Sequence, residues 1–352
     1  RQFSLAEENY SRAAQLSPSA GDYSIYQKGF LLGLQKDYKG KISAMDRLIS
    51  EYPESQYVDD ALFEKGRSYV LLENSSSAAQ AFEKLIREFP LSSLARKAGI
   101  QLGLLYYNDN QPEKALAAYK QVISNYPGSE EAKIALQDLK SVYIDLNDIN
   151  AYASYVNSIG GNIRLEVGEQ DSLTYIAAEK LFMRGDNDGA RRSLINYLQT
   201  FPEGAFSSNA NFYLGSIAFA KKEFDEAIQR FKSVIASGDT KFLEESVART
   251  AEIEYLSKDY PAALESFKRL QIVAENPENR QAARLGIMRC ALQTGQQKDA
   301  LLAADELLKE PKLSPELEAE ARYVRAKAYI AQKQANKALA DLKELSKDTR
   351  TV

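Results

Sequence analysis

A period of about 37 residues is the feature that most restricts what this chain can fold into. Gly29, Gly66 and Gly103 are spaced by 37 residues, and a proline follows each of them after 24 residues. Small residues continue this series, and an alanine follows most of them after twelve residues. Self-similarity at a fixed period of about 20–50 residues is typical of repeat proteins whose units stack on their neighbours. The small residues and their alanines are Gly29, Gly66 with Ala78, Gly103 with Ala115, Ala178 with Ala190, Gly215 with Ala227, Ala251 with Ala263, and Ala326 with Ala338.

Each unit is predicted to be a pair of amphipathic helices. In the unit that spans 94–127, apolar side chains recur at helical spacing over 94–105 and again over 115–123. The polar run 108–112 between these segments predicts a turn. Pro127 ends the second helix because proline cannot continue a helix. The chain is therefore expected to alternate first and second helices along its whole length.

The small residues are expected to let the two helices of a unit approach each other closely, so that Gly103 contacts Ala115. A bulky residue lies four positions after the alanine, for example Tyr119, and we expect it to fill the gap against the next unit. The equivalent residues in other units are Phe82, Phe231 and Phe267.

These residues resemble the tetratricopeptide repeat, whose signature is Leu-Gly, then Tyr, then Ala-x3-Phe, then Pro. The resemblance implies an all-α fold, a right-handed superhelical α-solenoid of about eight or nine helix pairs. It is shifted near 279–311, where Met288 takes the small-residue position. It is poorest near 130–162, where Lys140 and Tyr152 replace the two small residues. The best match is Leu102-Gly103, Tyr106, Ala115, Tyr119 and Pro127.

The ends of the units carry a finer resemblance. Glu51–Ser55, Phe89–Ser93 and Asn125–Ser129 each contain an aromatic residue, a proline and a serine in similar order. Together with the period, they resemble the repeats of two bacterial envelope proteins, the Tol–Pal-associated periplasmic coordinator and the lipoprotein of the outer-membrane assembly machine. The resemblance implies an envelope adaptor that binds other proteins, in the periplasm or at the outer membrane. A cytoplasmic location is the alternative.

The units divide into two predicted subarrays, 21–158 and 172–352. Residues 1–20 are interpreted as a partial repeat that contains a second helix only, ending at Pro18. Residues 159–171 are expected to be an irregular connector because three glycines there disfavour helix. This connector is either a hinge between the subarrays or a degenerate repeat that packs against its neighbours.

Neither end shows the polar capping helix that repeat arrays normally need for solubility. We therefore expect that flanking repeats or self-association cover the apolar faces at the two ends.

The composition argues against several functions. The chain has no histidine and one cysteine, so Ser–His and Cys–His nucleophile systems and an intrachain disulfide cannot form within it. The net charge of −4 disfavours binding to nucleic acid. No apolar run is long enough to span a bilayer. No phosphate loop, dinucleotide fingerprint or metal-ligand spacing is present. We therefore predict no enzyme activity, no cofactor, no metal and no membrane insertion.

Glu245-Ser246 resembles the catalytic dipeptide of lytic transglycosylases, which also carry helical solenoids. Those enzymes have a separate compact catalytic domain, and the sequence shows none. Glu245 lies near a predicted helix start, where a carboxylate favours the helix dipole. The alternative interpretation of the chain is therefore a non-catalytic solenoid arm of a larger envelope enzyme that acts on peptidoglycan.

Protein or peptide recognition is the predicted function. In related repeats the first helices line a concave groove, and contacts come from positions three before and one or four after the small residue. Aromatic residues at these positions either grip a partner segment or pack first helix against first helix, and the sequence leaves both open. The predicted groove contacts are Tyr107, Phe182, Phe219, Tyr255, Arg67 and Arg289.

Overall fold

The computed structural model describes residues 2–16, 21–160, 164–238 and 241–347, and these residues form nineteen α-helices. The first nine are α1 (Gln2–Leu16), α2 (Gly21–Leu34), α3 (Tyr38–Glu51), α4 (Val58–Leu71), α5 (Ser75–Glu88), α6 (Ser93–Asn108), α7 (Pro112–Asn125), α8 (Glu130–Asp145) and α9 (Ile149–Ile159). The other ten are α10 (Val167–Met183), α11 (Asn187–Thr200), α12 (Ser207–Ala220), α13 (Phe224–Ala236), α14 (Leu243–Leu256), α15 (Tyr260–Val273), α16 (Pro277–Gln293), α17 (Gln297–Leu307), α18 (Pro315–Ala331) and α19 (Ala335–Lys347).

The all-α prediction is confirmed, and α2 to α19 form nine consecutive pairs. The chain divides into two compact units, 1–166 and 167–352. Helix α1 packs against α2, the first helix of the first pair. The predicted final position of the partial repeat, Pro18, lies outside the described residues. No helix of the described segments is both long and apolar enough to cross a membrane.

The predicted irregular connector is shorter in the structure. Helix α9 ends at Ile159 and α10 begins at Val167, so residues 167–171 are helical, contrary to the prediction. Asp171 explains part of this extension, since its carboxylate accepts hydrogen bonds from the Tyr197 hydroxyl at 2.5 Å and from the Ala205 backbone at 2.9 Å. These bonds fix the first turns of α10 on the elements that follow. Residues 161–163 of the connector lie outside the described residues.

The small residues of the series receive the large side chain of their own pair. A Cβ on Gly103 would stand 2.5 Å from the Tyr119 ring, and a Cβ on Gly66 would stand 2.5 Å from the Phe82 ring. The expectation that these rings fill the gap against the next unit is therefore corrected. Each of these two rings lies close to the helix backbone, where a Cβ would overlap it. The glycine of the same pair has no Cβ and therefore leaves room for the ring. Phe267 follows the original expectation, because its ring lies against Gly286 of the next pair.

A left-handed residue ends the turn between the helices of every pair. It lies seven positions after the small-residue position in all nine pairs, including the two that match the repeat signature poorly. This regularity shows that one register runs through all the pairs. Seven of the nine residues are not glycine: Lys36, Glu73, Asn110, Asn147, Lys222, Lys258 and Lys333, with Gly185 and Gly295 at the other two positions.

A third small position recurs on the first helices, five residues before the series residue. Its side chains are 0–3% exposed in eight of the nine first helices. The exception is Leu173, on the helix that begins the second compact unit. Small, fully buried side chains here leave room for the helix packed against them. The eight residues are Ser24, Ala61, Ala98, Ala135, Ala210, Ser246, Ala283 and Ala321.

The serine of the unit-end motif links neighbouring pairs. Ser92 is the N-cap of α6 and accepts a hydrogen bond from the Leu94 backbone at 3.0 Å. Its hydroxyl also donates to the Asp59 carboxylate of α4 at 2.7 Å. Ser55 donates in the same way to Asp22 of α2 at 2.6 Å. Ser92 therefore starts α6 and ties it to α4, and Ser55 ties the segment before α4 to α2. The third serine, Ser129, caps α8 but donates to the Tyr126 carbonyl instead.

Candidate functional site

All six predicted contact residues lie on first helices. Arg67 is on α4, Tyr107 on α6, Phe182 on α10, Phe219 on α12, Tyr255 on α14 and Arg289 on α16. None of them is buried: Arg67 is exposed and the other five are half-buried. We call the surface that the first helices present the first-helix face. It has one part in the first compact unit and one in the second.

In the first unit, both predicted residues make contacts with neighbouring side chains. The Tyr107 hydroxyl donates to the Asp145 carboxylate of α8, so Tyr107 joins two first helices. Arg67 donates to Glu64 at 3.1 Å, and Glu64 also pairs with Lys41 of α3. Arg67 is thus held over its own helix rather than extended into solvent.

An exposed apolar stripe accompanies these residues in the first unit. It lies one and five positions after the small residue, and only basic residues at the first of these positions were among the predicted contacts. The positional pattern itself could have identified the stripe, because both positions face away from the helix pairing. Its members are Phe30 and Leu34 on α2, Leu71 on α4 and Leu104 on α6, and each is 43–57% exposed.

In the second unit, two of the predicted residues, Phe182 and Phe219, contact side chains of the next first helix. The Phe182 ring of α10 lies 4.6 Å from the Tyr213 ring of α12, centroid to centroid. The Arg249 guanidinium of α14 lies 5.0 Å from the centre of the Phe219 ring of α12. These contacts bridge adjacent first helices, so part of each ring is used for packing and part remains accessible.

Two arginines on this face are fixed by carboxylates. Arg249 donates to Glu245 at 2.8 Å and to Glu252 at 2.9 Å. Burial lowers the pKa of Arg249, but these two carboxylates raise it by more. Arg289 donates two bonds of 2.7 Å to Glu320 of α18, and these bonds raise its pKa, with a smaller contribution from Tyr255. Both side chains are charged and neutralised by their partners.

A recess of about 300 Å³ opens between α14 and α16, next to Tyr255 and Arg289. Its floor is made by Phe267 and Leu270 of α15. The structure therefore brings two of the six predicted residues together at one concavity. The recess itself was not predicted, because it depends on side-chain sizes on three different helices.

A larger cleft of about 590 Å³ lies between the second helices α5 and α7 of the first unit. Its lining is more polar and carries Glu83, Arg87 and Lys114. The Tyr106 hydroxyl at its floor donates to Glu83 at 2.6 Å. None of the predicted contact residues lines this cleft. The smaller recess is the better candidate for a binding site because its apolar floor offers more for a ligand to bury.

The reactive groups near the recess are not arranged for covalent chemistry. Cys290 is fully buried, and burial raises the pKa of its thiol to about 11. Ser246 is also fully buried, and Glu245 is engaged with Arg249. The described residues contain no group of three or more acidic or cysteine side chains placed to hold a metal ion. What this arrangement provides is an apolar surface with fixed polar borders.

Comparisons with family models find repeats along much of the chain. Tetratricopeptide repeat models match residues 23–55 and 177–240. Residues 59–141 match the outer membrane lipoprotein family YfiO. A search of curated proteins found no significant match.

Solved structures show a similar fold at low sequence identity. The structure of Naa15/Naa10 bound to HypK-THB is 12% identical with a TM-score of 0.50, and the match covers 98% of this chain and 56% of that one. This chain therefore spans little more than half of that structure's length. The TPR2AB domain of yeast Sti1 in complex with pHSP90 is 12% identical, covering 77% and 99%, with a TM-score of 0.36. MamA is 16% identical, covering 54% and 98%, with a TM-score of 0.35. The first of these likenesses supports the helical-repeat fold and nothing further.

Proposed function

We propose that this chain, which belongs to the tetratricopeptide repeat proteins, is an adaptor that binds a partner peptide, helix or domain on its first-helix face. The observation that carries the proposal is the apolar recess between α14 and α16, bordered by Tyr255 and Arg289. Concave apolar sites with a few fixed polar groups are the usual form of binding sites. Half-buried aromatic and arginine side chains are also the residue types that dominate protein interfaces.

The proposed contacts are the six residues of the first-helix face together with the exposed stripe of the first unit. Contiguous exposed apolar surface is typical of interaction sites, since isolated soluble proteins rarely leave such surface uncovered. The groups around the recess do not form a nucleophile–base pair. We therefore propose binding without catalysis.

We place the adaptor in a bacterial envelope, in the periplasm or at the outer membrane. The match of residues 59–141 to an outer membrane lipoprotein family supports this location. Fractionation of the source cells with an antibody to the chain tests it. Recovery with periplasmic or outer-membrane markers is expected, and recovery with cytoplasmic markers would favour the alternative location.

The partner is tested by affinity capture from an envelope extract of the source cells. The bait is the wild-type chain, and the test variant is Tyr107→Ala combined with Tyr255→Ala. The matched control is Tyr155→Ala, which removes a half-buried tyrosine from a second helix, α9. We expect one set of partners with the wild type and the control, and its loss with the test variant. The same partners with all three baits would contradict binding on the first-helix face.

Self-association is the second interaction that we propose, through α19. Leu342 occupies the position of Phe82 and Tyr119, which are at most 1% exposed, yet Leu342 is 40% exposed. Its neighbour Leu339 is 51% exposed. We propose that a second copy of the chain covers this face. Sedimentation velocity is expected to show a concentration-dependent dimer that Leu339→Glu abolishes, and a monomer at all concentrations would contradict it.

A further inference from the structure

The recess between α14 and α16 is open because three of its lining residues have little or no side chain. These are Ala248 on α14 and Ala282 and Gly286 on α16. Gly286 cannot be larger, because a Cβ there would stand 2.4 Å from the Phe267 ring. The close approach of α16 to that ring closes the bottom of the recess and leaves its upper part empty.

Every charge that we assign to the border of the recess has a partner of opposite sign, two guanidinium groups against three carboxylates. Glu245 and Glu252 are both bonded to Arg249, and Arg289 is bonded twice to Glu320. A charged ligand group entering here would have to replace one of these pairs, and the abandoned partner would lose its compensation. A neutral group meets no such cost. The border therefore complements an uncharged side chain.

The walls of the recess favour an aromatic ring over an aliphatic chain. Tyr255 meets Phe267 and Tyr260 edge to face, with ring centroids 6.4 and 5.7 Å apart. A further ring can extend this arrangement, and such ring pairs contribute beyond the area that they bury. Two guanidinium groups, held in place by their carboxylates, border the same space, and guanidinium groups stack on aromatic faces.

We infer that this recess is a receptor for one aromatic side chain of the partner polypeptide. The inference rests on the proposed function and adds the chemical class of the group that is bound. The volume, about 300 Å³, lies at the lower limit of small-molecule pockets, which suits one side chain rather than a whole cofactor. Because the bound group is uncharged and the border charges are already paired, binding should depend little on salt, unlike recognition of a carboxylate by unpaired cations.

The absence of tryptophan from the chain makes a direct test available. The fluorescence of N-acetyltryptophanamide, a neutral probe, can be followed without background from protein tryptophan. Saturable binding to the wild type is expected, about three- to tenfold tighter than that of N-acetylleucinamide in competition. The affinity should change by less than about twofold when the salt is raised from about 0.05 M to about 0.5 M, although the Debye length then falls severalfold.

Two variants and one control locate the site. Ala282→Phe adds a ring at an exposed position in the lining and should fill the recess, so saturable binding should be lost. The control Ala236→Phe adds the same ring at an exposed position on the second helix α13 and should bind as the wild type does. Tyr255→Leu should weaken binding of the tryptophan probe and leave that of the leucine probe unchanged. Helix content by circular dichroism verifies that each variant is folded.

The inference is overturned if the wild type shows no saturable binding, if both probes bind equally, or if Ala282→Phe binds like the wild type. Its failure can be separated from failure of the proposed function. If the tryptophan probe does not bind but partner capture is still lost in the double variant of Tyr107 and Tyr255, the aromatic receptor is wrong and the adaptor stands. If the probe binds as expected but capture is insensitive to Tyr107 and Tyr255, the receptor stands and the proposed function fails.

Discussion

Gly103 and Tyr119 interlock across the pair α6/α7. The Tyr119 ring fills the space beside Gly103, so that a Cβ on residue 103 would stand 2.5 Å from the nearest ring carbon. Two other pairs keep a similar sum of the two sizes while changing the members. Where the small position is Ala178, the partner position holds Leu194, which is fully buried. Where it is Met288, the partner is Ala304. The two positions therefore compensate each other within one chain.

This relationship predicts that Gly103→Ala destabilises the first unit. A Gly-to-Ala change inside a helix would otherwise stabilise by about 0.5–1 kcal/mol. Here the added methyl overlaps the Tyr119 ring, and overpacking of this kind costs about 1–3 kcal/mol. The urea midpoint should therefore fall. The double variant Gly103→Ala with Tyr119→Leu reproduces the native combination of Ala178 and Leu194, and it should be more stable than Gly103→Ala alone. Additive losses would contradict the interlock.

The left-handed turn residues give a prediction of opposite sign. Lys258 has φ of 62°, a conformation that costs a residue with Cβ about 1–2 kcal/mol, more than the entropic cost of glycine there. Lys258→Gly should therefore raise stability by about 0.5–1 kcal/mol, whereas Lys258→Val should lower it. Gly295 occupies the same position in another pair with φ of 74°, so Gly295→Ala should be destabilising. Urea unfolding of the three variants measures these differences, and equal stability of all three would show that the turn is not strained.

Ser246 is the third test of the repeat positions. Six equivalent first-helix positions hold alanine, and the Ser246 hydroxyl has no hydrogen-bond partner among the described residues. A buried unsatisfied polar group costs about 1–3 kcal/mol. Ser246→Ala should therefore stabilise the second unit by about 1 kcal/mol, measured by thermal or urea unfolding. Ser24, also buried at the equivalent position, is the matched comparison, and a loss of stability in Ser246→Ala would mean that its hydroxyl is satisfied.

The period was sufficient to predict the helix pairs and their number, because small residues, alanines and prolines recur at fixed offsets that only stacked hairpins explain. It could not show that the ring of Tyr119 turns onto its own glycine, since the direction of a side chain depends on which backbone lacks a Cβ. The left-handed turn residues escaped notice because seven of nine are not glycine.

The candidate site was predictable only in part. The offsets from the small residue placed Tyr255 and Arg289 on the first helices, and both are half-buried there. Whether a recess opens beside them depends on Ala248 and Ala282. Their short side chains leave a recess only because α14 and α16 are neighbours in the fold. The pairing of Arg289 with Glu320 likewise joins residues 31 positions apart. Such contacts depend on how the helices pack, and they cannot be predicted from a single sequence.

Ser92 connects two pairs, and its loss should therefore cost more than an ordinary helix cap. The Ser92→Ala substitution removes the bond to the Leu94 backbone and leaves the Asp59 carboxylate without its hydroxyl donor. Loss of an N-cap costs about 0.5–2 kcal/mol, and loss of a bond to a charged group about 1.5–3 kcal/mol before relaxation. We expect about 2 kcal/mol in total. The neighbouring exposed serine provides the control, since Ser93→Ala should change the unfolding free energy by less than about 0.5 kcal/mol.

Tyr106 makes the first unit sensitive to alkaline pH. Burial and, to a smaller extent, the hydrogen bond to Glu83 raise the pKa of Tyr106 to about 12, whereas a phenol in the unfolded chain has a pKa of about 10. The folded state therefore holds this proton more tightly. The stability that it contributes is complete below about pH 10 and is lost as the pH rises from about 10 to about 12.

Phenolate absorbance is measured as a function of pH for the wild type and for Tyr106→Phe, and the difference between the two curves reports on Tyr106. This difference should rise near pH 12 for the folded protein and at about pH 10 in denaturant. The variant should also lose stability less steeply over that interval, and identical slopes would mean that Tyr106 titrates as it does in the unfolded chain.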